Sequence, residues 1–136
     1  MREKELVKEA KEAMKRAYVP YSGYKVGAAL LTKSGKIYTG CNIENASYTP
    51  TVCAERVAIF KAVSEGEKEF EAIAVVGGKD GKISGIFPPC GVCRQVMAEF
   101  CGRNFEVLLV SGEDSYEKYK LSELLPLSFT PDNMTK

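Results

Sequence analysis

Two segments of this chain, FEAIAVVGG at residues 70–78 and FEVLLVSG at 105–112, are apolar at nearly every position and too short for independent helices. A strand without polar alternation is covered on both faces, so a sheet built around this pair needs helices on each side. The sequence supplies them. Residues 3–17 place Leu6, Val7, Ala10, Ala13, Met14 and Ala17 at helical spacing, with Lys and Glu on the other face. A second helix opens in TVCAERVAIF, from Thr51, and runs to about Ser64; a third covers Gly91 to Phe100. Pro20 and Gly23 break the first helix. VGAALLT at 26–32 and KIYTGCNI at 36–43 then flank Lys33-Ser34-Gly35 as a β-hairpin. Residues 45–50 and 79–89 read as loops, Tyr116–Lys120 as a candidate edge strand, and 121–125 as a short helix stopped by Pro126. This order predicts one α/β domain over residues 1–136, in three layers on a mixed sheet of about five strands.

Charge narrows the partners. The formal net charge of +1 provides no field for holding nucleic acid or an anionic membrane. No apolar run approaches the ~20 residues of a membrane span. The opening MREKELVKEAKEAMKRA lacks the apolar core of a secretion signal. A cytoplasmic protein without nucleic-acid or membrane partners is expected. Its five cysteines, an odd count in a reducing compartment, argue against a disulfide framework. There is no histidine. That removes Ser-His-Asp and Cys-His catalysis, and any zinc site must be made from Cys, Asp or Glu.

An ordinary core helix needs a cap and an apolar stripe, yet TVCAERVAIF crowds Cys53, Glu55 and Arg56 into one turn. PPCGVC, residues 88–93, opens the next helix with C-x-x-C. That motif can hold zinc or act as a thioredoxin-like redox pair, although it lies far from the first strand, where the redox motif is expected. The alternative is that Cys53, Cys90 and Cys93 converge as thiolates on one zinc, each favoured by a helix N-terminus. Three protein ligands leave the fourth position of zinc open, which is the arrangement of a catalytic site. Glu55 could then lie beside that position and move protons. Arg56 could offset the charge of roughly −1 left by three thiolates on a divalent ion. Taken singly, each cysteine reads equally well as a buried small hydrophobe, as Cys41 and Cys101 do. Glu55 alone could be a first-turn carboxylate favoured by the helix dipole. Arg94 reads as structure.

Zinc deaminases of nucleobases combine Cys₃ or His/Cys/Cys ligands, a non-ligand Glu and P-C-x-x-C. C-A-E at 53–55 and P-C-G-V-C at 89–93 match the Cys₃ form. The chain resembles the small, homotetrameric cytidine deaminases, from VPYSGYKVGAAL through CNIENASYTPTVCAERVAI and PPCGVCRQV to ELLPLSF, nearly its whole length. The resemblance implies a cytidine-deaminase-like α/β/α fold, one Zn2+ per subunit, and a small-molecule nucleoside substrate. The implied reaction is hydrolytic deamination of cytidine, and of 2′-deoxycytidine, to uridine or deoxyuridine and ammonia in pyrimidine salvage. Glu55 would take a proton from zinc-activated water, return it to ring N3 after attack at C4, and assist the departure of ammonia.

By the same resemblance, Asn42 and Glu44 of N-I-E-N bind ribose, Tyr24 lines the pyrimidine pocket, and Ala54 offers its N–H to the base carbonyl. Phe129, after L-L-P, reaches into a neighbouring subunit's site, and Tyr48 lies near a subunit boundary, so a homotetramer shares its active sites. The chain departs from the pattern at three places. Tyr24 stands where many relatives carry Phe, the loop before Cys90 is longer, and F-P-P-C replaces the frequent S-P-C. In the family a backbone carbonyl just before this Cys receives the departing amino group. A deaminase of a nucleoside antibiotic such as blasticidin shares C-A-E and P-C-x-x-C, but NIENASY and Phe129 favour the nucleoside enzyme. A non-catalytic zinc module would want a fourth protein ligand, and neither Cys41 nor Cys101 has the spacing for one.

Overall fold

The two apolar runs become neighbouring parallel strands, β3 (Phe70–Lys79) and β4 (Glu106–Val110), with Ala72 opposite Glu106 and Val75 opposite Leu109. The computed structural model describes residues 2–134; Met1, Thr135 and Lys136, at the ends of the expected domain, lie outside the described residues. Strand β1 (Tyr24–Thr32) pairs antiparallel with both β3 and β2 (Ile37–Cys41), and β5 (Tyr116–Lys120) closes the other edge against β4. The resulting mixed sheet has the order β2-β1-β3-β4-β5.

Alternation along the strands sorts the core into two faces. Val26, Ala28, Leu30, Ile73, Val75, Val107 and Leu109 pack beneath α2 (Ala54–Ser64) and α3 (Gly91–Phe100). Ala29, Leu31, Ala72, Ala74, Val76 and Leu108 meet α1 (Glu3–Met14) on the opposite face. Each fully buried Leu or Ile contributes roughly 1.5–3 kcal/mol, and both faces hold several. The architecture is therefore three-layered, as expected. A short α4 (Leu121–Leu124) and a single turn at Pro131–Asn133 complete the chain.

Gly40 on β2 decides where the site forms. A Cβ there would lie 2.3 Å from the Ala54 carbonyl oxygen and 2.7 Å from the Ala58 nitrogen. Only a residue without a side chain lets the first turn of α2 come down onto the strand. That contact fixes Cys53 and Glu55 relative to the sheet.

Among the ends that differ from the sequence reading, three share one reason. Helix α1 stops at Met14 rather than Ala17, β2 stops at Cys41 rather than Ile43, and α2 begins at Ala54 rather than Thr51. Tyr18, Ile43 and Val52 form isolated bridges instead. The Tyr18 N–H donates to the Asn42 carbonyl at 3.0 Å, and Ile43 and Val52 exchange two bonds of 3.0 Å. These long-range backbone pairings outcompete local helix propensity and bring three loops together at one end of the sheet.

Candidate active site

The N-termini of α2 and α3 meet at this end. Cys53 caps α2 (φ −77°, ψ 155°) and Cys90 caps α3 (φ −67°, ψ 167°), both in extended backbone. Cys93 lies one turn into α3, on the same side as Cys90. The sulfurs of Cys53 and Cys90 are 3.7 Å apart, those of Cys90 and Cys93 3.5 Å, and all three lie within 4.8 Å of one another. Among the described residues this is the one such group of possible metal ligands. Tetrahedral zinc with Zn–S bonds of about 2.3 Å spaces its sulfurs about 3.8 Å apart, so the cluster fits the ion. Cys41 and Cys101 are half-buried and stand outside it.

Charge follows the sulfurs. The Cys53 thiol is drawn down to about 5, first by the hydrogen bond from Cys93 and then by Arg56, against the cost of burial. Cys93 moves the other way, because it donates to Cys53 and is itself buried. Arg56 Nη2 donates to Cys53 Sγ at 3.4 Å, and its Nε is buried with no partner among the described residues. The guanidinium charge is thus directed at the sulfur cluster rather than at a carboxylate. Glu55, only 3 % exposed, is pushed up to about 7, chiefly by burial and further by the charge of Cys53. A carboxyl with that affinity can hold or release a proton near neutrality.

Glu55 faces a cavity of about 190 Å³, with Cys53, Ala54, Glu55 and Cys90 forming one side. Ser22, Tyr24 and Val26, Asn42, and Phe87 with Pro88 form the rest. Ala54 is the first residue of α2 and fully buried; the N–H at such a position has no intrahelical acceptor. The Asn42 side chain is anchored to β1, accepting from the Val26 N–H at 2.9 Å and donating to the Tyr24 carbonyl at 2.8 Å. One Nδ2 hydrogen remains for a ligand.

Glu44 lies in an adjoining depression of about 370 Å³, with Tyr21, Tyr48 and Thr51, and Ser22 lines both spaces. Its carboxylate accepts from the Tyr21 and Ser22 N–H groups at 3.0 and 3.1 Å and from the Ser22 hydroxyl. The Ser22 hydroxyl bond is the main reason that its pKa is lowered. Tyr48 takes a left-handed backbone (φ 64°), is 70 % exposed, and meets Tyr21 edge-on at 6.0 Å. Phe129 lines neither space; it is 58 % exposed, and its carbonyl accepts from Gln95 Nε2 at 2.8 Å. Arg94, read as structure, bonds the Pro89 carbonyl at 2.8 Å and the Leu124 carbonyl at 2.7 Å.

Four lining residues carried no site role in the sequence reading: Ser22, Val26, Phe87 and Pro88. Ser22 lay inside the quoted P-Y-S stretch. Phe87 lay in the F-P-P-C departure, which was the available signal. Its ring centroid is 6.0 Å from that of Tyr24, and Lys79 Nζ stands 5.1 Å over the Tyr24 ring.

Known proteins resemble the chain in sequence and in fold. The sequence profile of the cytidine and deoxycytidylate deaminase zinc-binding region matches residues 1–109. The chain is 51% identical over 129 residues to a cytidine deaminase of Halalkalibacterium halodurans, covering 95% of each chain. It is 48% identical over 130 residues to a cytidine deaminase of Sporosarcina psychrophila, covering 96% of this chain and 93% of that one. The crystal structure of cytidine deaminase from Burkholderia pseudomallei superposes with a TM-score of 0.87 at 46% identity, covering 95% of this chain and all of that one.

Proposed function

The chain belongs to the cytidine and deoxycytidylate deaminase family, and from that premise we propose that it converts cytidine, and 2′-deoxycytidine, to uridine or deoxyuridine and ammonia, a reaction of pyrimidine salvage. One observation carries this reading: buried Glu55 opens on the same small cavity as Cys53 and Cys90, the metal-side edge of the pocket.

Cys53, Cys90 and Cys93 would hold one zinc ion per subunit, which supplies Lewis acidity and an acidified water at neutral pH. The rest belongs to side chains of this protein. In the net reaction, water oxygen bonds to C4 of the base and the C4–N bond breaks. Glu55 takes a proton from that water, delivers it to ring N3, and passes a second proton to the departing amino group. Its raised pKa suits both directions of transfer. The Ala54 N–H receives the base carbonyl, Tyr24 borders the base, and Asn42 and Glu44 hold the ribose hydroxyls. Arg56 moderates the negative charge of the thiolates.

The assembly in this reading is a cytoplasmic homotetramer of single-domain subunits, 1–136, acting without nucleic acid or membrane. No described helix is long and apolar enough to cross a membrane. Phe129 and Tyr48 complete a neighbour's site. Support comes from their exposure and from their position outside the cavity that holds Glu55.

The test is ultraviolet observation of cytidine turnover by zinc-replete protein, with Glu55→Ala alongside. Conversion by the parent and none by the variant is expected. A zinc-loaded parent inert toward cytidine and deoxycytidine would overturn the substrate, and blasticidin would be tried next.

A further inference from the structure

We infer that Phe87 is a specificity-determining residue, the wall that limits the size of group the pocket accepts at carbon 5 of the pyrimidine. The inference rests on the reaction proposed above, which orients the base. N3 faces Glu55 and the base carbonyl faces Ala54, consecutive residues at the start of α2. The opposite edge of the ring, carbons 5 and 6, must then meet the walls supplied by other elements. Of these, Asn42 is bound through its side chain to β1. Phe87 and Tyr24 remain as the large apolar groups.

Phe87 is held in place by the strand behind it. A Cβ on Gly77 would lie 2.8 Å from both Cγ and Cδ2 of the Phe87 ring and 3.1 Å from Val26 Cγ2. The ring therefore fills the notch that the glycine leaves on β3. Gly78 serves the same segment: a Cβ there would lie 1.8 Å from the Lys82 carbonyl oxygen, so the longer loop can cross the strand only over glycine. On its other side the ring lies at 31° to Tyr24. With the strand behind and Tyr24 beside it, Phe87 has little room to retreat from a ligand. The cavity it borders, about 190 Å³, is already small for a substituted base.

The experiment compares cytidine, 5-methylcytidine and 5-propynylcytidine on the zinc-loaded protein, as ratios of kcat/KM. Binding of the matching uridines by calorimetry gives a readout that does not depend on turnover. Phe87→Ala should raise the 5-propynyl to cytidine ratio about tenfold or more, as expected for removing steric exclusion in an apolar pocket. Phe87→Leu should fall between the parent and Phe87→Ala. Gly77→Ala, which pushes the ring forward, should lower the ratio while zinc content stays at the parent's level. A Phe87→Ala ratio within about twofold of the parent would overturn the assignment, since a ring lying against the face of the base would be indifferent to carbon 5. Failure of the parent to convert cytidine would instead strike the proposed reaction.

Discussion

Arg56 Nη2 lies 3.4 Å from the sulfur of Cys53, three residues before it on the first turn of α2. Cys53 and Cys93 both favour the charged guanidinium, so the role proposed for it at the cluster is electrostatic. Arg56→Gln keeps a donor but removes the charge. Turnover should fall about tenfold or more, the equivalent of one charge-assisted hydrogen bond of roughly 1.5–3 kcal/mol. Zinc content, measured by metal analysis of the same sample, should fall much less. Unchanged turnover would remove Arg56 from the chemistry.

Glu55→Gln preserves shape and burial while removing the proposed proton carrier. We expect kcat to fall by at least ~10²–10⁴, with zinc content and thermal melting close to the parent's. Loss of zinc together with activity would mean that Glu55 builds the site rather than working in it.

Gly40→Ala tests how the sheet positions the helix. The added methyl meets backbone atoms of Ala54 and Ala58 rather than a movable side chain. Relief requires shifting α2, at a cost of about 1–3 kcal/mol or more. A lower melting temperature should be accompanied by weaker zinc retention, because Cys53 and Glu55 travel with the helix. A variant as stable as the parent would show that α2 is not seated by this contact.

The metal-side half of the site was legible because its chemistry is compressed into short motifs at helix starts. Cys53, Glu55, Cys90 and Cys93 needed only C-A-E, P-C-x-x-C and the absence of histidine to be set apart. The layers were legible too, since two uninterrupted apolar runs can be satisfied only by cover on both faces. What periodicity does not encode is backbone pairing between distant loops. Ile43 and Val52 looked like parts of β2 and of a helix, and Tyr18 fell just past one, yet each spends its backbone groups on another segment. F-P-P-C marked Phe87 as a departure but not as a wall of the pocket, for a related reason. Its place in the pocket depends on two glycines in β3, and nothing local to the loop records them.

Glu3 links α1 to the far edge of the sheet, accepting from Lys118 Nζ at 2.8 Å and from the Tyr116 hydroxyl. Those bonds, Lys118 first, hold its carboxyl below the ordinary value of 4.5. A lowered folded-state pKa contributes stability that is complete above the unfolded value and lost as pH falls through the folded one. Glu3→Gln should therefore be slightly less stable than the parent near neutral pH, the margin kept small by solvent around Lys118. In urea titrations that gap should close as pH drops below 4.5. A gap that is constant across the acid range would rule out the carboxylate charge as its source.

Phe129 and Glu55 provide a test of shared sites, because under the proposed assembly they fail in different subunits. In the proposed assembly, Phe129→Ala spoils a neighbour's pocket and Glu55→Ala spoils its own. Each homogeneous variant should be nearly inactive, the first mainly through KM and the second through kcat. When the two are dissociated and reassembled together, some pockets receive an intact Glu55 from one chain and an intact Phe129 from the other. Activity should reappear, up to a fraction set by how the subunits are arranged. If instead Phe129 served its own subunit's pocket, no mixture could recover activity, since every chain would carry one defect. The exposed ring, tethered through its carbonyl to Gln95 and away from the Glu55 cavity, favours recovery.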